Sequence, residues 1–136
     1  MFFPPAVVVH GLDQARTALR PGRAVTLLSA RGAALFAGCG WWRALVVAAQ
    51  ADASAGAGAA MVRDILDCGD APGAAMAALR VGQRALILDT ACPAFVAVAA
   101  AAATLGAAVL AGRPEALDLA ERGAERRLTA WLDRGS

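Results

Sequence analysis

The residues in this chain able to carry chemistry are one histidine, three cysteines and a scatter of aspartates. His10 closes the apolar run Ala6-Val-Val-Val. An imidazole changes charge near neutral pH and acts as a general base when a carboxylate orients it. Asp67 and Asp89 close two further apolar runs, which contain Ile65-Leu66 and Ile87-Leu88. His10, Asp67 and Asp89 are therefore the candidate catalytic set. Asp67, Asp70 and Asp89 also offer oxygen ligands, but their spacing matches no cation-binding loop, so no metal site is expected. Cys39, Cys68 and Cys92 are odd in number and far apart, which is neither a disulfide framework nor a zinc pattern. Cys68 and Cys92 precede expected helix starts, where a helix dipole lowers a thiol pKa. Neither has a C-x-x-C partner, and both read as buried, inert thiols.

A second set points to anion binding. Arg31-Gly32 and Arg113 stand before expected helices, where free backbone N–H groups and a guanidinium can hold an anion. With Gly69, Asp70 and Thr90 they make up the candidate ligand-binding set. The competing reading is that Asp70, Thr90 and Glu115 only cap helices. Several familiar chemistries are excluded. All 13 basic residues are arginines, so there is neither a Schiff-base lysine nor the lysine of a phosphate-binding P-loop. No G-x-G-x-x-G follows the first apolar run, and no nucleophile elbow G-x-S-x-G occurs. The sequence specifies no cofactor.

The elements that must position these residues repeat one unit. Val62 to Leu66 reads as a strand, Cys68-Gly69-Asp70 as a tight turn with Asp70 as N-cap, and Ala71–Arg80 as a helix with Pro72 in its first turn. Gly82 stops that helix, and Arg84–Asp89 is the next strand. The same alternation runs throughout. Strands are expected at Ala6–His10, Ala24–Ala30 and Ala107–Ala111, and helices at Leu12–Arg20, Ala33–Ala37, Trp41–Ala51 and Pro93–Leu105. Gly112-Arg113-Pro114-Glu115 is read as the opening of a last helix, with Leu117, Ala120, Ala124, Leu128 and Trp131 on its inner stripe and Asp118 and Arg122 paired outside. Within Trp41-Trp42, neighbours on a helix point about 100° apart, so one is placed to be buried and the other exposed.

The expectation is a single α/β domain over residues 1–136, with about five short parallel strands alternating with helices. An open doubly wound sheet, in an order such as 2-1-3-4-5, is preferred over a barrel-like arc of sequential strands. Residues 52–60, rich in Ala and Gly, are expected to be a flexible internal connection. The chain is 59% hydrophobic with a mean hydropathy of +0.55, and alanine supplies much of that. The net charge of +2 with mixed signs argues against nucleic acid as a partner. The uncharged stretch from Thr90 to Gly112 is interrupted by Pro93 and Gly106, which favours a core helix and strand over a membrane span. Free cysteines suit a reducing cytoplasm.

In parallel α/β folds ligands bind at the carboxyl ends of strands, where most of these polar residues fall. The expected function is binding of a small anionic metabolite there. The alternatives are an enzyme using His10 with Asp67 or Asp89, and a non-catalytic interaction module working through Trp41, Trp42 and sheet edges. A homo-oligomer is expected.

Overall fold

A computed structural model describes residues 1–54 and 60–135. Six strands lie in one open parallel sheet: β1 (Ala6–Val8), β2 (Val25–Leu28), β3 (Val62–Asp67), β4 (Ala85–Ile87), β5 (Ala108–Leu110) and β6 (Ala116–Asp118). Their order is β5-β4-β3-β2-β1-β6. The helices are α1 (Leu12–Leu19), α2 (Ala33–Phe36), α3 (Cys39–Ser54), α4 (Pro72–Arg80), α5 (Phe95–Thr104) and α6 (Ala124–Leu132), with a short 3-10 turn at Asp133–Gly135. The α/β alternation is thus as the sequence implies, with three corrections. Strands β1 to β5 follow one another in chain order, so the order 2-1-3-4-5 does not occur. There is also a sixth strand, and the last helix begins at Ala124 rather than near Pro114. A three-residue strand shows too little alternation to announce itself, and a proline precedes a strand as readily as it opens a helix. Leu117 is buried in both readings, which is why the helical stripe could absorb it.

The chain forms two compact units. The first comprises Met1–Leu28, Ala44–Asp64 and Pro114–Ser136. Its central strand is β1, paired with β2 (Val7↔Leu27) and with β6 (Val7↔Leu117). Val7, Val9, Val25, Leu27 and Leu28 lie fully inside, as expected of parallel strands covered on both faces. Ala15, Ala18 and Leu19 of α1 and Leu128 and Leu132 of α6 are buried with them. The buried Thr26 hydroxyl is satisfied by the Pro4 carbonyl at 2.7 Å.

The second unit comprises Ser29–Arg43 and Ile65–Arg113. Here β4 is central, between β3 (Leu66↔Leu86) and β5 (Leu86↔Val109). Its buried helix positions are mostly small: Ala75 and Ala78 on α4 and Ala102 on α5 are inaccessible to solvent. Small side chains let helices approach closely, so the alanine content serves packing. Both helices end alike. Gln83 N–H donates to the Ala78 carbonyl and Ala107 N–H to that of Ala102, with Gly82 and Gly106 in the left-handed conformation.

The stretch Thr90 to Gly112 contains α5 and β5. Among the described residues no helix is long and apolar enough to cross a membrane. Helix α3 runs on through Asp52 to Ser54, so the expected connection at 52–60 begins as helix, and residues 55–59 lie outside the described residues. Trp42 is fully buried and Trp41 is 38% exposed, their rings 6.0 Å apart. Trp42→Ala is expected to cost about 3–5 kcal/mol, and Trp41→Ala less than about 1 kcal/mol, in urea unfolding. Equal losses would contradict this division of faces.

Candidate functional site

Each unit carries a polar cluster at the carboxyl ends of its strands. In the second unit the cluster is built around Asp67, the last residue of β3. Its side chain is 6% exposed and faces the Arg113 guanidinium, itself 15% exposed, at 2.8 Å. Asp67 Oδ2 accepts from Arg113 Nη1 and Asp67 Oδ1 accepts from Gly69 N–H, each at 2.8 Å. Arg113 Nη2 donates to the Ser29 carbonyl at 3.0 Å. The Ser29 hydroxyl accepts from Asp67 N–H at 2.9 Å and donates to the Ala30 carbonyl at 3.0 Å. One guanidinium from the loop after β5 thus ties together the residue that follows β2 and the end of β3. The packing is close: a Cβ added at Gly69 would lie 3.2 Å from Leu35 Cδ1.

Cys68 follows directly and is fully buried. Burial first, then the charge of Asp67, then Cys39, push its thiol from 9.0 up to about 12. A thiol held protonated in this way is not a nucleophile. The carboxylate that could be asked to assist it is engaged by Arg113.

In the first unit His10 stands beyond β1 and meets the end of β6. Its Nε2 lies 2.8 Å from Asp118 Oδ1. The side chains are 38% and 33% exposed. The β1–β6 register, with Val8 opposite Asp118, brings the two together. His10 N–H donates to Gln14 Oε1 at 2.8 Å, which fixes the backbone where the chain enters α1. Nδ1 of His10 has no hydrogen-bond partner among the described residues.

The expected site residues are therefore distributed differently from the sequence reading. The acid beside His10 is Asp118; Asp67 is paired with Arg113, and Asp89 Oδ1 accepts from Ala91 N–H at 2.9 Å. Arg31 is exposed, and Gly32 leads into the four-residue α2. Asp70 is exposed and does not cap α4, whose N-cap is Ala71 with no side-chain bond. Thr90 is exposed, and α5 starts further on, from Ala94. Glu115 precedes β6 and caps no helix. Among the described residues no three His, Cys, Asp or Glu side chains converge to hold a metal ion.

Asp118 was missed because it was assigned to a helix surface. A signal for it exists. Leu66-Asp67-Cys68-Gly69, Leu88-Asp89-Thr90-Ala91 and Leu117-Asp118-Leu119-Ala120 share one pattern. In each, the leucine is buried and Asp Oδ1 accepts the N–H two residues on, at 2.8 to 2.9 Å. This is a turn stabilised by the aspartate's own side chain, which satisfies the backbone as it leaves the sheet. The same tetrad occurs as Leu12-Asp13-Gln14-Ala15 within α1 and as Leu132-Asp133-Arg134-Gly135 at the end of α6, so alone it does not separate a strand end from a helix. A scan against protein-family models finds no match, and a search of curated proteins finds no relative.

Removing either member of the Asp67–Arg113 pair strands a buried charge. Asp67→Ala and Arg113→Met are each expected to cost about 3–5 kcal/mol, and the double variant clearly less than the sum. Additive losses in urea unfolding would show that the two do not act as a pair. For Cys68, the folded-state value lies above the unfolded one. The stability contributed by the neutral thiol is therefore whole below pH 9.0 and is lost as the pH climbs toward 12. Cys68→Ala should flatten the fall in stability above pH 9.0. An unchanged slope would exclude this cause.

Proposed function

We propose that the protein binds a small anionic metabolite at the carboxyl ends of β1 and β6, with His10 as the anchoring contact. The observation that carries this reading is an imidazole fixed at Nε2 by Asp118, with Nδ1 unpartnered among the described residues and the side chain 38% exposed. A carboxylate holding one nitrogen sets the direction of the ring. The second N–H of an imidazolium can then donate to a carboxylate or phosphate oxygen. Arg113 adds nothing to such a site, because Asp67 engages it within the second unit.

The same geometry supports a second reading, an enzyme in which neutral His10 is the general base. With Nε2–H donated to Asp118, Nδ1 presents a lone pair, and the carboxylate stabilises the imidazolium that forms. The two readings differ in their response to pH. Anion binding strengthens as the ring gains its proton, and base catalysis strengthens as the ring loses it. A third reading, an interaction or self-association surface, draws on exposed apolar side chains in the second unit: Leu35 at 57%, Phe36 at 72% and Trp41 at 38%. The free thiols of Cys39, Cys68 and Cys92 fit a cytoplasmic setting.

His10 is the only histidine, so its ring resonances in an NMR spectrum need no assignment. Titration with phosphate and with citrate should move them saturably. Followed on the backbone amides of Gln14 and Ala120, which lie beside His10 and Asp118, the response should vanish in His10→Gln. The absence of a saturable shift, or one that survives His10→Gln on the neighbouring amides, would refute the anion reading.

A further inference from the structure

We infer that the first unit holds a second site, for an organic cation of the guanidinium or quaternary ammonium class, and that its own Arg134 occupies that site from within. The place is the amino end of β1 and β6, the opposite end of these strands from His10 and Asp118. Pro5 leads into β1 there and Glu115 into β6. A cavity of about 280 Å³ opens between them.

Its lining is distinctive in composition. The chain has seven aromatic residues, 4 Phe and 3 Trp with no Tyr, and Phe2, Phe3 and Trp131 all line this cavity. Glu115 adds one carboxylate. Aromatic faces carry negative charge density and attract a cation, most strongly one that has shed its water. Aromatic walls with one acid are the chemistry that selects a diffuse organic cation over a small hydrated ion.

The present occupant is a cation of that class. Arg134 Cζ stands 4.2 Å from the centroid of the Trp131 ring. Arg134 Nη2 lies 3.6 Å from Glu115 Oε2. The guanidinium therefore makes, within the chain, both contacts that a ligand cation would make. The frame around it is fixed. Trp131 Nε1–H donates to the Ala6 carbonyl at 2.8 Å and holds the indole plane. Asp133 is paired with Arg23 at 2.8 Å. A Cβ added at Gly135 would come within 2.7 Å of Pro5 Cδ, so the turn carrying Arg134 is seated against the strand entry. By contrast the Arg134 side chain is 53% exposed and Glu115 is 76% exposed. An ion pair so open to water is weak, and the side chain can leave without the backbone. The half-exposed Arg134 is therefore displaceable, while the ring it covers is fixed.

The test uses choline, and 3,3-dimethylbutan-1-ol as its uncharged isostere. Both are titrated into the whole chain while the Trp131 indole N–H resonance is followed, with sodium chloride matched throughout. In Arg134→Ala choline should shift that resonance saturably, about tenfold more tightly than in the wild type, where it must displace the arginine. Adding Glu115→Gln to Arg134→Ala should weaken choline by about two- to fivefold, the range of an exposed charge pair, and weaken the uncharged alcohol less. Arg134→Gln serves as the second vacated variant, and circular dichroism confirms its fold. The inference fails if the alcohol binds as tightly as choline, because the cavity is then only apolar. It also fails if choline produces no saturable shift in a folded Arg134 variant.

Discussion

A parallel strand covered on both faces has nowhere to put a polar side chain except at its ends. That constraint governs this structure. Strands β1 and β2 are buried along their whole length, and so is β4. Backbone groups leaving the sheet must still be satisfied, and three aspartates do this with their own side chains at the ends of β3 and β6 and just beyond β4. Polarity at the carboxyl ends is therefore first a structural necessity. A residue there becomes interesting only when the turn leaves it something unspent.

By that standard the two clusters differ. Asp67 gives one oxygen to its turn and the other to Arg113, and Arg113 gives its second nitrogen to Ser29. Both carboxylate oxygens and both terminal guanidinium nitrogens are engaged, and the pair is nearly closed to solvent. It is a fastening, and these hydrogen bonds offset the cost of burying two charges. Asp118 gives one oxygen to both its turn and His10, and the other imidazole nitrogen has no partner among the described residues. The more buried cluster fastens the fold, and the looser one is partly open to water.

The sequence made the alternation of strand and helix legible because apolar runs and glycine stops are local signals. It also marked the ends where polar groups collect, and it separated Trp41 from Trp42 by helical geometry alone. Strand order was not legible. It depends on which edge each crossover returns to, and no residue type announces that choice. The short β6 escaped for a related reason: Ala116-Leu117-Asp118 is too brief to distinguish two periodicities, and the helix stripe beginning at Ala124 extended back over it. Losing β6 meant losing the partner of His10. The histidine itself could be found from sequence, but the acid beside it depended on a parallel pairing between residues 108 positions apart.

Magnitude then limits what His10 can do. One charge-assisted hydrogen bond contributes roughly 1.5–3 kcal/mol, while even a millimolar complex requires about 4 kcal/mol. An anion that touched only this imidazole would therefore bind more weakly than that. Any ligand held tightly at the end of β1 and β6 must gain most of its affinity from surface buried against neighbouring side chains, with His10 selecting the charge and fixing the orientation. Under the proposed reading the single histidine is a filter on what binds, and the surface buried around it sets how strongly.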